Sequence, residues 1–395
     1  MAVNGPGKPS PSMSMAMGRP ARMDPAIWRR MPPDILEHVL SFLPLRSFLG
    51  LRTTCKHFRS LIFTPSFVSK YSAAAAATTD SSSPSSSSPL CSFLLLSHLH
   101  FSRLRFPLYD TARGTWRRLF LSLPSLLPTP APPSLISVSK GLLCFSLPNS
   151  SSLYICNLLA NSSREIDFPT SPFAFERLTM VSTPIGYTIF LLASVGSSSS
   201  FAFVYDSSAS SWRRFEGFDP ILNSDNHQEG VLAHGRLYFT TSQPFSVVSF
   251  DLGTGDWGGL DSELPPELTF MRLASDGERE LYMIGGVGRN GVSISRSMKL
   301  WRLEAGGGER WVEVDTLPEG MCRKFMSVCY HNYRHVYSFW HQDMVCVCCY
   351  TWPEVLYYKP SRRTWHWLPK CPSLPEKWSC GFKWFSFVPE LHAFV

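Results

Sequence analysis

The feature that most constrains this chain is a phrase that recurs about every 50 residues. "YDTARGTWRRLF" begins at Tyr109, and "YDSSASSWRRFE" begins at Tyr205, 96 residues later. Weaker copies lie midway and downstream, so six anchor positions follow one another at spacings of 48, 48, 45, 54 and 54 residues. The anchors are Trp116, Arg164, Trp212, Trp257, Trp311 and Trp365. Such a period predicts a fold assembled from repeated units.

Each unit has strand and turn chemistry around its anchor. A further run of β-branched and aromatic residues precedes five of the anchors, bounded by Gly, Pro, Ser and Asp. These runs read "KGLLCF" (140–145), "GYTIFLL" (186–192), "GRLYFT" (235–240), "ELYMIGG" (280–286) and "HVYSFW" (335–340). The Trp that follows each turn is large enough to fill the wedge between neighbouring sheets. Short strands at this period predict an all-β propeller of about six blades over residues 91–395, rather than a helical solenoid.

The two ends of this region are expected to close the ring. The last stretch, "CGFKWFSFVPELHAFV", has the composition of strands that would pair with the first blade segment, "SFLLLSHL". Closure of this kind removes exposed sheet edges. The units resemble the kelch family, which carries a Gly pair and an aromatic-to-Trp spacing. Gly285-Gly286 keeps the doublet, whereas the units at Gly141 and Gly235 keep one Gly, so the resemblance is to a degenerate kelch-type propeller.

Upstream, residues 28–71 change from a period of two to a period of about 3.6. The segment reads "WRRMPPDILEHVLSFLPLRSFLGLRTTCKHFRSLIFTPSFVSKY", and its prolines and apolar spacing predict three short helices, the third ending at Pro65. The first helix places Ile35, Leu36, Val39, Leu40 and Leu43 on one face. Three short helices do not bury this much apolar surface alone, which indicates a partner. A small helical domain packed on the propeller remains the alternative.

These residues closely resemble an F-box. Met31-Pro32 stands where that motif has Leu-Pro, "DILEHVLSFLPLRSFLGLR" fits its first two helices, and "CKHFRSLI" fits its third. The resemblance implies docking on a Skp-type adaptor, and through it on a cullin scaffold in an SCF ubiquitin ligase. It carries contact roles to Met31, Pro32, Ile35, Leu36, Val39, Leu40, Leu43, Pro44, Leu51, Cys55 and Phe58. An F-box followed by degenerate kelch units is similar to the plant F-box/kelch proteins.

The remaining segments are low in apolar content. Residues 72–89, "SAAAAATTDSSSPSSSSP", have no hydrophobic face and are expected to form a flexible linker. Residues 1–22 are expected to be disordered, and Met23 is a plausible alternative start. The N-terminus lacks the apolar core of a signal peptide, and no apolar run approaches the ~20 residues of a membrane helix. The 11 cysteines do not show the spacing of a disulfide framework. We therefore expect the protein to be located in a reducing compartment, the cytoplasm and/or the nucleus, and to have no membrane partner.

No pattern predicts a cofactor, a metal or a catalytic site. "GVGRNG" (286–291) matches G-x-G-x-x-G, but the alternating "VSISRSMKLWRL" that follows predicts a strand where a dinucleotide site needs a helix. In "CVCCY", a strand would place Cys346 and Cys348 on one face and Cys349 on the other, which is poor geometry for one metal ion. The net charge of +7 comes from scattered Lys and Arg, so no nucleic-acid surface is expected.

The expected function is that of an adaptor rather than an enzyme. The F-box would dock the ligase core, and the propeller would hold a protein substrate of unknown identity for ubiquitination and proteasomal degradation. The alternatives are a binding module outside a ligase and a propeller with an enzymatic or cofactor site. Arg pairs at 117–118, 213–214 and 362–363 either form a positive rim or are solvated blade edges. The candidate substrate loops are 223–230, 286–291 and 317–325.

Overall fold

The computed structural model describes most of the chain. It covers residues 30–51, 54–61, 64–79, 91–99, 101, 105–120, 133–147, 150–169, 175–183, 185–195, 199–216, 227–288, 294–305, 309–374, 379–391, 393 and 395. The predicted disordered segment 1–22 lies outside these residues. Among the described helices, none combines the length and the apolar character that a membrane crossing requires.

The described residues 33–79 contain four helices. They are α1 (Pro33–Ser41), α2 (Leu45–Leu51), α3 (Lys56–Leu61) and α4 (Pro65–Thr79). The fourth corrects the prediction of three helices: Pro65 opens a helix, as proline does well in a first turn. It also corrects the predicted linker, because residues 72–79 are helical and only residues 80–89 lie outside the described part. The alanine run lacks an apolar stripe but has the highest helix propensity, and it extends a helix whose first turns pack on the F-box core.

In the described part of the chain, 24 strands form six four-stranded antiparallel sheets, which confirms the six-bladed propeller. Blades 1 and 2 contain β1 (Phe93–Ser97), β2 (Arg105–Asp110), β3 (Thr115–Phe120), β4 (Ser134–Ser139), β5 (Leu142–Ser146), β6 (Ser152–Asn157) and β7 (Ser162–Asp167). Blades 3 and 4 contain β8 (Arg177–Thr183), β9 (Gly186–Val195), β10 (Ser199–Asp206), β11 (Ser211–Phe215), β12 (Val231–Ala233), β13 (Arg236–Thr240), β14 (Val247–Asp251) and β15 (Trp257–Gly259).

Blades 5 and 6 complete the ring. They contain β16 (Leu268–Ser275), β17 (Leu281–Val287), β18 (Ser297–Ala305), β19 (Glu309–Thr316), β20 (Val336–His341), β21 (Met344–Cys349), β22 (Trp352–Lys359) and β23 (Thr364–Trp367). Helix α5 (Glu319–Cys329) connects them, and β24 (Lys383–Phe387) follows blade 6. "HVYSFW" thus forms the innermost strand of blade 6, where the cysteine-rich β21 is the second strand. The other four upstream runs form the second strands of their blades.

The ring closes as predicted. β24 pairs antiparallel with β1, from Phe93 opposite Phe387 to Ser97 opposite Lys383, and supplies the innermost strand of blade 1. β24 also contacts the innermost strands of blades 6 and 2. The two ends of the propeller sequence therefore share one sheet, and neither β1 nor β24 presents that edge to solvent.

The Trp anchors lie on the outermost strands and pack between blades. Trp116 lies in the apolar cluster between blades 1 and 6, and Trp212 in the cluster between blades 2 and 3. The other three, Trp257, Trp311 and Trp365, lie in the clusters between blades 3 and 4, 4 and 5, and 5 and 6. Each ring fills the wedge between its own blade and the preceding one. Arg164 faces Ile155 across the ladder at the same position of blade 2.

The antiparallel strands define two rims of the propeller. The turns after the first and third strands of each blade lie on one rim, which we call the lower rim. The other connections lie on the opposite rim, which we call the upper rim. The F-box packs on the lower rim. Its core, formed by Leu40, Phe48, Leu61 and Phe67, includes Leu391 from the C-terminal tail and borders Leu159 from a lower-rim turn of blade 2.

Candidate docking surfaces

The outer face of α1 is apolar and exposed. Ile35, Val39 and Phe42 expose 47%, 39% and 61% of their surfaces, and Pro32 before them is exposed as well. Their spacing of four and three residues places them one above the other on one side of the helix. Contiguous apolar side chains are rarely left exposed to water without a function, so the surface is suited to a partner.

The inner face of α1 holds the F-box together. Leu40 is 2% exposed, and Leu36 and Leu43 pack half-buried on the same core. The single face predicted from the sequence is therefore two faces: Leu36, Leu40 and Leu43 point inward, while Ile35 and Val39 point outward. An offset of one residue rotates a side chain by about 100° around a helix, so the five residues are spread over a broad arc, and the F-box core covers only the part with Leu36, Leu40 and Leu43.

The other residues assigned by resemblance fall into two groups. Leu51 and Phe58 are half-buried against the F-box core, and Met31 is half-buried at the start of α1. Pro44 and Cys55 are exposed. The contact role of every residue in this set stays a prediction, and the exposed members are the ones available to a partner without rearrangement.

Phe42 also belongs to the exposed apolar stripe, although the sequence prediction of contact residues does not include it. It is the most exposed large apolar side chain of the described F-box residues, and the ring of His38 packs edge-on against it at 5.0 Å between centroids. Its position seven residues after Ile35 and three after Val39 is the signal that identifies it, since both intervals keep a side chain on one helical face.

An ion cluster joins the F-box to blade 1. Asp110, at the end of β2, is 1% exposed and accepts a hydrogen bond from Arg46 of α2. Arg117 Nε lies 3.3 Å from Asp110 Oδ2, and the backbone N–H of Arg113 donates to Oδ1 at 3.1 Å. A buried carboxylate with this many donors fixes the direction in which α2 lies against the lower rim.

The propeller axis encloses a cavity of about 560 Å³. It is lined by the inner strands and is crossed by residues 227–230, the described part of the candidate loop 223–230. Gln228 donates from Nε2 to the carbonyls of Leu273 (3.3 Å) and Ser338 (3.1 Å) and accepts from the Ser338 N–H at 2.9 Å. Residues 227–230 are therefore part of the axial packing, whereas the sequence offered 223–230 as a candidate substrate loop; residues 223–226 lie outside the described part.

Glu229 connects the same segment to blades 1 and 2. Its carboxylate accepts a hydrogen bond from Ser137 Oγ at 2.6 Å and lies 3.4 Å from Lys383 Nζ. Burial raises the pKa of Glu229, and burial with the nearby Lys383 charge lowers the pKa of His227 to about 4. His227 stacks on Tyr350 at 3.8 Å between centroids. Polar groups here are paired within the protein and act as cross-links between blades.

The other two candidate loops lie on the upper rim, opposite the F-box. Residues 317–325 include the start of α5, which corrects their assignment as a loop. In the second, Gly286–Val287 belong to β17, and residues 289–291 lie outside the described part. β17 pairs antiparallel with β18, as the alternation predicted, so a strand follows the G-x-G-x-x-G match. Gly285, just before the match, is accounted for by close packing, since a Cβ there would lie 2.7 Å from the Phe270 carbonyl oxygen.

The Arg pairs brace neighbouring structure. Arg213 donates to the carbonyls of Leu252 and Gly253 at 2.9 Å, and Arg214 lies over the Phe201 ring at 3.8 Å. Arg118 donates to Ser373, and Arg117 faces the buried carboxylate on blade 1. Arg362 and Arg363 lie in a lower-rim turn. These contacts favour the interpretation as blade edges over a continuous positive rim.

The cysteines of β21 divide between two interfaces. Cys346 and Cys348 pack between blades 6 and 1, whereas Cys349 packs between blades 5 and 6, as strand alternation predicts. Burial raises the pKa of all three thiols. Within the described residues, no group of three or more His, Cys, Asp or Glu side chains is placed to hold a metal ion.

Comparison with known proteins agrees with this architecture. The F-box domain family matches residues 28–70, and the KIB1-4 beta-propeller family matches residues 117–330, over half of the chain. The F-box/kelch-repeat protein At5g43190 of Arabidopsis thaliana is 50% identical over 97% of this chain and 92% of its own length.

More distant relatives have the same extent. Protein ABERRANT PANICLE ORGANIZATION 1 of Oryza sativa subsp. japonica is 26% identical over 97% of this chain and 93% of its own. Protein UNUSUAL FLORAL ORGANS of Arabidopsis thaliana is 24% identical over 89% of this chain and 80% of its own. With an F-box on the lower rim of a closed six-bladed propeller and a relative this similar along its whole length, the chain belongs to the F-box/kelch-repeat family of plant F-box proteins.

Proposed function

We propose that this chain is the substrate receptor of an SCF-type ubiquitin ligase and carries out no catalytic step itself. The observation that carries the proposal is the exposed apolar stripe of Pro32, Ile35, Val39 and Phe42 on an F-box that packs on the propeller with its other face. A Skp-type adaptor would cover the stripe and link the chain to a cullin. The complex would work in the cytoplasm and/or the nucleus.

The placement of the F-box supports a division of labour between the rims. The adaptor would approach from the lower rim, which leaves the upper rim free for a protein substrate. The Asp110 ion cluster and Leu391 hold the F-box at a fixed angle to the propeller. A fixed angle sets the distance between a bound substrate and the site of ubiquitin transfer, which favours reaction by proximity.

The test is co-purification of the full chain with a Skp-type adaptor and a cullin. We compare the wild type with Ile35→Asp/Phe42→Asp, which changes exposed residues and should leave the fold intact. Ile185→Asp is the matched control, since Ile185 is 73% exposed on the lower rim of blade 3. Loss of both partners in the double variant alone supports the proposal.

Two results would oppose it. If the wild-type chain retained no adaptor, the chain would not be a ligase subunit. If the adaptor bound but partners captured by the propeller kept their normal lifetime in cells, the chain would be a binding module outside a degradation pathway.

A further inference from the structure

On the described part of the upper rim, exposed apolar and basic side chains occur on neighbouring segments and form a patch. It consists of Ile294, Arg296, Arg323, Tyr330, His331 and Arg334, at the junction of blades 5 and 6. Ile294 and Tyr330 are 51% and 83% exposed, and the Arg323 side chain is 77% exposed. The other three residues are exposed as well. We call this surface the junction patch.

Tyr333 forms the rigid base of the junction patch. Its side chain is buried and stacks on Phe270 at 4.6 Å between centroids. Its hydroxyl accepts a hydrogen bond from the Ser295 N–H at 2.8 Å and lies 3.0 Å from His331 Nδ1. One phenol thus fixes the segment that carries Ile294 to the segment that carries His331, so the exposed groups are held in place before any partner arrives.

The backbone at Tyr330 and His331 is held in a costly conformation. Tyr330 has φ of +50° where α5 ends, and His331 has φ of +54°. Glycine adopts this region without strain and commonly follows a helix, whereas a residue with a side chain does not. The Tyr330 ring gains no packing in this conformation, since it is 83% exposed, whereas His331 contacts the Tyr333 hydroxyl. Strain of this kind concentrates where a side chain is displayed for binding.

The charge of the junction patch is positive. Arg296 lies two residues after Ile294, and Arg323 and Arg334 lie on the segment that carries Tyr330. The carbonyl of Arg296 lies 4.0 Å from Cys322 Sγ of α5, so the backbone of the first segment approaches the helix that carries Arg323. The carboxylate that forms an ion pair with a described residue of the patch is Glu319, 3.2 Å from Arg323. Arginine forks bind carboxylates in pairs of hydrogen bonds, and an exposed aromatic ring beside an aliphatic side chain accepts an apolar anchor.

We propose that the junction patch binds an acidic segment of the substrate protein, with one aliphatic or aromatic residue seated between Ile294 and Tyr330. This inference rests on the proposed role as a substrate receptor and adds the chemistry of the segment that the receptor recognises.

The test begins with an unbiased selection. A library of random 12-residue peptides displayed on phage is selected on the purified full-length chain. Enriched peptides should carry an excess of Asp and Glu around one large apolar residue. The strongest synthetic peptide should bind Arg296→Glu/Arg334→Glu at least about tenfold more weakly than the wild type, because opposite charges become like charges. Arg279→Glu, the same change at an exposed lower-rim arginine, should bind like the wild type.

Tyr330→Gly separates binding from folding. Glycine relieves the positive φ, so the urea midpoint should stay equal or rise, while loss of the ring should weaken the peptide by about fivefold or more. The inference is wrong if the enriched peptides have no negative excess, or if they bind the charge-reversed variant as well as the wild type. It is also wrong if 20-nucleotide single-stranded DNA displaces them and binds more tightly.

The same variants distinguish this inference from the proposed function. Arg296→Glu/Arg334→Glu should still retain the Skp-type adaptor. A wild-type chain that binds acidic peptides but no adaptor would refute the ligase role and leave the junction patch standing. A wild-type chain that retains the adaptor but binds no acidic peptides would refute the junction patch alone.

Discussion

At the scale of single residues, His341 is the most completely buried ionisable group that the described axis contains. It is 0% exposed, with Nδ1 2.8 Å from Ser386 Oγ and Nε2 3.4 Å from Thr111 Oγ1. It joins the innermost strand of blade 6 to that of blade 1 at the place where the ring closes. Burial lowers its pKa to about 3, so it stays neutral in the folded chain.

We predict that His341 makes the propeller sensitive to acid. The folded pKa lies below the unfolded value near 6.5, so the unfolded chain binds the proton first and stability falls as the pH drops from 6.5 towards 3. Between pH 7.5 and 5.0 the wild type should lose about 2 kcal/mol more of its free energy of unfolding than His341→Asn. Urea denaturation at the two pH values measures this. Equal losses in both proteins would show that His341 is not the group responsible.

At the scale of elements, the fourth strand of each blade shows how one repeated residue organises packing. The anchors face an aromatic partner across the ladder in four blades; Trp365, for example, lies 4.9 Å from Tyr358 between ring centroids. Such cross-strand pairs stabilise a sheet from within. The same ring also fills the gap to the preceding blade, so one position stabilises both the blade and the ring.

We predict a graded effect of two tryptophans on β23. Trp365 is 6% exposed between blades 5 and 6, and its replacement by Ala should cost about 3–5 kcal/mol of the free energy of unfolding. Trp367 is half-buried under the Lys324 ammonium, 3.9 Å from its ring, so Trp367→Ala should cost about 1–2 kcal/mol. Chemical denaturation of both variants is the measurement, and equal losses would contradict the wedge role.

The fold could be predicted from the sequence where a pattern repeats, but not where tertiary contacts determine the structure. The period, the six blades and the closure by β24 were predictable because each blade restates the same strand and turn chemistry. Helix α5 and the axial position of Gln228 occur once, so no second copy revealed them. The split of α1 into an outer and an inner face was hidden because Ile35 and Leu36 have the same polarity, and only the position of Phe48 and Leu391 shows which of them is covered.

At the scale of the whole molecule, F-box and propeller form one body. Leu391 is 2% exposed in the F-box core, although it belongs to the tail that leaves β24. Asn157 of blade 2 donates from Nδ2 to the carbonyls of Glu390 (3.1 Å) and Ala393 (2.7 Å) and holds the tail in place. The two parts are therefore expected to unfold together.

We predict that Leu391→Asp uncouples them. A carboxylate in that core is unpaired and costs several kcal/mol, so the F-box should unfold first while the propeller stays cooperative. Calorimetry should show two transitions in place of one, and limited proteolysis should cut between α1 and α4. Leu391→Met, which conserves volume, is the control. A single transition in the aspartate variant would show that contacts other than Leu391, such as the Asp110 ion cluster and Leu159, suffice to couple the two parts.

The use of C-terminal residues in both the first blade and the F-box core has a consequence for protein synthesis. Residues 93–97 and the F-box leave the ribosome long before Lys383–Phe387 and Leu391, and at about 5–20 residues per second the delay is about 15–60 s. During that time the edge of β1 and the F-box core remain uncovered, open to chaperones and proteases. A prematurely terminated chain keeps both defects permanently, so quality control can remove it before incomplete copies accumulate.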